Sequence, residues 1–408
     1  MDMISFLPSF GRWRPWGDSK IFNISPVEVH EIDTAQEKPA RALKHLLKLN
    51  HANYAFLWNE RKFHNHAPHI LSSAFLQGAD ADDLNRIYEN ESKSLDPWED
   101  SPGEISTYDW RDYLSRREYQ RAFVDFFEDE LVRHSYDWKE VAFQYLFSGK
   151  EPMFSSLVAD LGHPLIHLAY AFEMSSREVA MEALGMAATC YGSIHKYLDD
   201  PSYSKIEPSY HTTSLFEVLA KVRADKQFDN LFTTSGEENI EVLFRNHEAA
   251  LLNHWNAWTI QDPVTQFRES QEVAAALLTA TVTAAHPKYD FFLVHTLTTS
   301  HAVRILLPLI PGKFQMALVR QWWLMTLSVY VAGLRPETDL DRVRGYELKG
   351  RDWKWTAHKA VKGQYSTDAH YVKAIRALRE AANTWGDPEE FYLRAAVRFA
   401  DEFDDWAF

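Results

Sequence analysis

Histidine is the residue that offers this chain most of its chemistry: it has eighteen. Several lie inside apolar runs rather than on polar faces. His66 and His69 fall in FHNHAPHILSSAF, His163 and His167 in LGHPLIHLAYAFE, His295 and His301 in FFLVHTLTTSHAVRILL, and His370 in DAHYVKAIRAL. One imidazole on an apolar face is ordinarily a hydrogen-bonded core residue. Four such segments in one chain point toward a metal, because neutral imidazole is a common ligand and packed helices can pool ligands on one ion.

Spacing adds detail. Pro68 suits the first turn of a helix, which sets His66 at its mouth and His69 inside it. His163 and His167 are four apart and share a face unless Pro164 breaks the segment between them. His295 and His301 are six apart, about 120° around a regular helix, so one ion does not take both. Thr298 and Thr299 follow His295 by three and four residues and stand beside it. Asp368 reads as an N-cap that places His370 and Lys373 in the first two turns, on one face. For Lys373 the ordinary reading is a side chain that snorkels to solvent.

Other chemistries lack their signatures. There is no Gly-rich dinucleotide fingerprint, no Walker loop and no Gly-x-Ser-x-Gly elbow. No Glu-x-x-His pair occurs, which argues against a ferritin-like di-iron bundle. His163-Pro-Leu-Ile-His167 has zincin spacing without the catalytic Glu. Cys190 is the single cysteine, so neither an internal disulfide nor a thiolate metal site can form.

The elements that must position these histidines read as helices. Ser175 with Glu178 and Ser214 with Glu217 match the capping box. Asp262-Pro263 and Asp387-Pro388 place a capping carboxylate before a first-turn proline, and Gly78, Gly149 and Gly386 stand where helices stop. Helical periodicity is clearest over 113–134, 177–198, 240–258, 314–333 and 371–385. Irregular connections are expected over 94–106, 199–213 and 335–352. Strand patterns are scarce and no fixed-period repeat appears. The expectation is an all-α chain with well over half its residues helical, forming one large compact helical domain over 1–408 with irregular connections.

The 408 residues are 46% hydrophobic, ample for a large core, and 14% aromatic, which suits a filled core and also a pocket for a flat aromatic ligand. A net charge of −15 argues against nucleic-acid binding, which needs a basic face. No run is long and apolar enough to span a bilayer, and MDMISFLPSFGRWRPWG carries charge, Pro and Gly. The chain therefore reads as membrane-free and cytoplasmic.

Taken in order from FHNHAPH through LGHPLIHLAYAFE and YDFFLVHTLTTSHAVRILLP to DAHYVKAIRAL, the segments resemble the questin oxidase-like family. These are fungal enzymes that open anthraquinone rings in aromatic polyketide pathways. The likeness runs nearly end to end, and several motifs in one order are far more specific than any one of them. It implies a mononuclear non-haem iron site of four histidines and a carboxylated lysine. Carried over residue by residue, the ligands are His66, His163, His295, His370 and Lys373. His69, His167 and His301 fall in the surrounding shell or the substrate pocket. A carbamate formed from neutral lysine and CO₂ offers an anionic oxygen in place of the usual iron-oxygenase carboxylate. Burial near a metal favours the neutral amine this requires.

The resemblance implies an Fe(II)- and O₂-dependent dioxygenase that cleaves a carbon–carbon bond of a hydroxylated anthraquinone or its reduced form. Thr298 and Thr299 are its candidate catalytic residues, able to hydrogen-bond bound oxygen, although a helical Thr also bonds its own backbone. Two alternatives stay open: a Baeyer–Villiger-type monooxygenase on the same substrate class with external NADPH as reductant, and a non-catalytic helical scaffold that binds a ligand.

Overall fold

Helix after helix in this chain begins on a side chain that satisfies its exposed N–H groups. Asp80 closes a full capping box with Asp83, and Asp137, Asp262 and Asp352 each accept from the first turn of their own helices. Pro263 follows Asp262 at the first helical position, as its fixed φ and missing N–H allow. The computed structural model describes residues 20–408, and the N-terminal segment read above for a signal lies outside them. Among the described residues there are nineteen α-helices, helix reaches 61%, and the four strands are two residues each. No helix of the described residues is long and apolar enough to cross a membrane.

Four helices matter most for the site: Ala67–Leu76, Ala159–Glu173, Leu293–Leu306 and Ala369–Trp385. The first packs on the second, the second on the third, the third on the fourth and the fourth on the first, a closed ring. Every residue of Leu293–Leu306 is buried. A helix without a solvent face sits at the centre of a large core. Around it lie Pro263–Thr279 and Gly312–Ala332, and one contiguous apolar cluster runs from Phe22 to Trp406. The only long-range strand pairing among the described residues joins Tyr289–Asp290 in parallel to Trp406–Ala407, which ties the end of the chain to the start of the central helix.

Several helices are shorter than their periodicity suggested. Over 113–134 the α-helix starts only at Gln120, because Ser115 takes a left-handed φ of 69°. The 177–198 segment stops at Thr189, and two short turns follow Gly192. The 240–258 segment divides at His247, whose φ of −132° is not helical. The capping residue of Arg177–Thr189 is Ser176, accepting from Val179, whereas Ser175 lies in the left-handed region. At Ser214 half of the expected box forms: its hydroxyl accepts from Glu217 N–H, while the Glu217 carboxylate accepts from the Thr212 hydroxyl. Asp387 reaches past Pro388 to accept from Tyr392 and Leu393 N–H. Gly386 closes its helix in the left-handed conformation.

Candidate metal centre

All four candidate ligand histidines sit at the N-terminal ends of the ring helices. His66 is the N-cap of its helix with Pro68 just inside, and His370 follows the Asp368 N-cap. His295 lies in the first turn of its helix, whose leading N–H groups at Phe292 and Leu293 donate to the Asp290 carboxylate. His163 resolves the question Pro164 raised. Asp160, Leu161 and Gly162 are consecutively left-handed, with φ of 50°, 54° and 77°, so the regular helix starts at His163 and Pro164 fits its first turn. Left-handed φ at Asp160 and Leu161 costs about 1–2 kcal/mol per residue. What it achieves is visible at the site: the Asp160 carbonyl turns to accept from His163 Nδ1 at 2.6 Å.

The imidazoles converge. His66 Nε2 lies 2.9 Å from His163 Nε2, and His370 Nε2 lies 3.2 Å from His295 Nε2. Nitrogens of His66, His163 and His370 all fall within 4.8 Å of one another. His295 stands outside that set of three and joins it through His370. Ring centroids of His66 and His370 are 4.7 Å apart, and those of His163 and His295 are 5.1 Å apart. Two nitrogens each about 2.0–2.1 Å from one ion at a right angle lie about 3 Å apart, close to both short contacts.

Protonation suits ligation. His163 Nδ1–H donates to Asp160 and His295 Nδ1–H to the Phe291 carbonyl at 2.9 Å, so each presents a bare Nε2. Burial, then the Lys373 charge, holds His66, His69 and His370 well below the ordinary histidine range and pushes His295 down to about 3. Burial also keeps His163 low, with His64 as the next cause. The positive ends of four helix dipoles oppose imidazolium in the same sense.

Lys373 does not snorkel. It is 1% exposed, its Nζ has no hydrogen-bond partner, and burial pushes its ammonium down to about 7 against the pull of Asp368 and Glu91. A buried amine without a partner is costly as it stands, so the donor set fits a group that completes it, either a carbamate or an ion.

The other expected residues are placed differently. His69 lies 5.4 Å from His66 between ring centroids, outside the three-nitrogen set, and hydrogen-bonds His167 at 3.0 Å. His301 faces Tyr170 at 6.2 Å, and burial, Arg376 and Arg304 depress its pKa. Thr298 donates to Val294 and His295 carbonyls, and Thr299 to His295 at 2.5 Å. Both hydroxyls are satisfied by their own helix. The Thr299 methyl lies against Gly162, where a Cβ would come within 2.3 Å of it.

Some neighbours carried no sequence role above. His64 stacks on His163 with centroids 3.9 Å apart and planes 5° apart, and also meets the Asp160 carboxylate, which Arg117 pairs. Phe291 covers His370 and His295 at 4.5 and 5.3 Å, and Trp406 donates to Asp368 at 2.8 Å. Two signals were there to read: a Gly before His-Pro marks a left-handed entry, and FHNHAPH already contains His64. Nothing local to Trp406 announces its role, because only the strand pairing brings it near.

Comparison with known proteins gives a consistent picture. A family model described as questin oxidase-like matches residues 63–378. The chain is 28% identical to the Baeyer-Villiger monooxygenase AacuH of Aspergillus aculeatus over 402 residues, covering 87% of this chain and 80% of the relative. It is 25% identical to the Baeyer-Villiger oxidase mdpL of Emericella nidulans, covering 92% and 90%. A questin oxidase of Aspergillus fumigatus is 26% identical, with 85% and 82% covered.

Proposed function

The chain belongs to the questin oxidase-like family, and from that premise we propose that it is an oxidoreductase that uses ferrous iron and O₂ to open the ring of an anthraquinone-type aromatic polyketide by cleaving a carbon–carbon bond. The observation that carries this reading is the convergence of the His66–His163 and His370–His295 nitrogen pairs, with the buried, unpartnered Lys373 amine one turn along the helix from His370. Donor chemistry alone suits several transition metals, and iron is the one that the resemblance of the histidine motifs implies.

Ferrous iron, when bound, supplies the electron-transfer chemistry that lets O₂ react with a closed-shell phenol. The protein does the rest. His163 and His295 are locked as Nδ1–H tautomers by backbone carbonyls, which aims their Nε2 lone pairs inward. His66 and His370, whose Nε2 atoms face His163 and His295, would complete the set with their proton on Nδ1. Neutral Lys373 Nζ would add to the carbon of CO₂ with loss of one proton, and the resulting carbamate would offer the metal an anionic oxygen. Thr298 and Thr299 are the candidates to exchange a helix carbonyl for an oxygen of the reacting system. Phe291 forms an aromatic wall over two of the imidazoles, suited to a flat polycyclic phenol.

A second reading keeps the substrate class and inserts a single oxygen with external NADPH as reductant. The Baeyer-Villiger names of two relatives favour it. Anaerobic reconstitution with Fe(II), metal analysis and turnover under ¹⁸O₂ test both. The expected result is about one iron per chain, sharply reduced in His66→Ala and Lys373→Ala, and two labelled atoms in a ring-opened product without NADPH. One labelled atom with strict NADPH dependence replaces the first reading by the second. A chain that retains no iron overturns both and leaves a helical ligand-binding scaffold.

A further inference from the structure

Beyond the ligand set, an unbroken line of hydrogen bonds runs from the centre to the surface. His69 Nε2 meets His167 Nδ1 at 3.0 Å, and His167 Nε2 meets Glu182 Oε2 at 2.9 Å. Glu182 Oε1 meets His51 Nδ1 at 2.8 Å, and His51 Nε2 meets Glu128 Oε1 at 2.9 Å. His69, His167 and Glu182 are at most 2% exposed, whereas the Glu128 side chain is 43% exposed. The line joins five separate helices, so no one helix's local geometry requires it.

The donors and acceptors can be assigned from the carboxylates inward. Glu128 and Glu182 only accept, so His51 donates from both nitrogens and is an imidazolium. Glu182 accepts from His167 Nε2–H, which leaves His167 Nδ1 bare to accept from His69 Nε2–H. His69 Nδ1 is therefore a bare lone pair, and it is buried without a partner. The inner end of the line is an open proton acceptor beside His66 and His163.

We propose that His69, His167, Glu182 and His51 form a proton relay between the metal centre and solvent at Glu128. A phenol or water at the centre gives its proton to His69 Nδ1. His69 then passes its Nε2 proton to His167 Nδ1, and His167 passes its Nε2 proton to Glu182 Oε2. His51 releases its Nε2 proton through Glu128 to water. One proton enters, one leaves, and the net charge of the line is unchanged. Run in reverse, the same shifts return a proton to the oxidised product and reset every tautomer. The catalytic part of this assignment rests on the oxygenase reading, and the relay itself does not.

Two measurements on the full-length protein separate the two. In ¹⁵N-histidine-labelled protein, the buried ring N–H groups of His69 and His167 are expected to exchange with solvent faster than neighbouring buried amides. That exchange should slow at least tenfold in Glu182→Gln and His51→Gln. Equal ring exchange in wild type and both variants overturns the relay, whatever the reaction is. In turnover with iron and a hydroxylated anthraquinone, His51→Gln is expected to keep iron content and substrate affinity, lose at least tenfold in kcat and show a larger solvent isotope effect. Glu128→Gln, at the half-exposed end, should lose several-fold at low buffer and recover as buffer is raised. Unchanged kcat and isotope effect in both variants overturn a role in catalysis. If wild type lacks ring-opening activity the oxygenase reading falls, and the exchange measurement still decides the relay.

Discussion

Two buried bases in this protein should drive its stability in opposite directions over the same pH range. His51 lies between Glu182 and Glu128, whose hydrogen bonds and charges outweigh its desolvation and push it up to about 10, while hydrogen bonds from His167 and His51 outweigh burial at Glu182 and hold it down to about 2. A base whose folded pKa exceeds its unfolded value of 6.5 adds stability that is complete below that value and is lost as pH rises toward 10. Lys373 is the reverse: burial lowers it from 10.5 to about 7. The unfolded chain holds its proton over that interval and the folded chain does not, so stability grows with pH. Each group contributes a slope of about 1.4 kcal/mol per pH unit. Between about pH 7.5 and 9.5 each therefore changes stability by about 2.5 kcal/mol, with opposite signs. The two nearly cancel in the wild type, so the effect is visible only by difference. Urea denaturation of metal-free protein in CO₂-depleted buffer across this range is the assay. Relative to wild type, His51→Gln should gain about 2.5 kcal/mol and Lys373→Met should lose about as much, from whatever level each starts. His51→Gln should also start lower by about 3–5 kcal/mol, because one partner of a buried ion pair is gone. Three parallel profiles would refute the reasoning.

Other perturbations test the supports of the histidines. Asp368→Ala removes both the cap on Tyr371 N–H and the acceptor for the Trp406 indole, and should cost about 1–3 kcal/mol in thermal or urea unfolding with weaker metal retention. Asp160→Asn unpairs Arg117 and His64 while leaving the carbonyl that orients His163, so metal titration should show a loss of affinity within about 10–100-fold. Phe291→Leu removes an aromatic face from His370 and His295 and should cost about 0.5–1.5 kcal/mol, with faster release of metal to a chelator.

An imidazole in an apolar run conflicts with burial unless something pays for it, and that conflict recurs in each of four segments. It marks seven histidines alike, however, and the choice of four among them came from the family resemblance. Helical content was legible because caps and periodicity are local. Ser175 was one residue off because both serines can cap and only the backbone turn chooses between them. The break at Ser115 goes with a tertiary contact that no local pattern announces: its hydroxyl donates to the Tyr191 carbonyl across the fold. His51 and Glu182 are 131 residues apart, and nothing near either one signals the other. The left-handed stretch before His163 was half visible, in Gly162, while Asp160 and Leu161 gave no sign of it.

The contact between Gly162 and the Thr299 methyl restricts the order in which this architecture can change over generations. Any lineage that enlarges the residue at 162 must accept a left-handed side chain and collide with the central helix, unless 299 has already shrunk. A smaller 299, by contrast, is sterically tolerable while 162 stays glycine. The route is one-way, so serine or alanine at the second position should be found beside an unchanged glycine far more often than the converse.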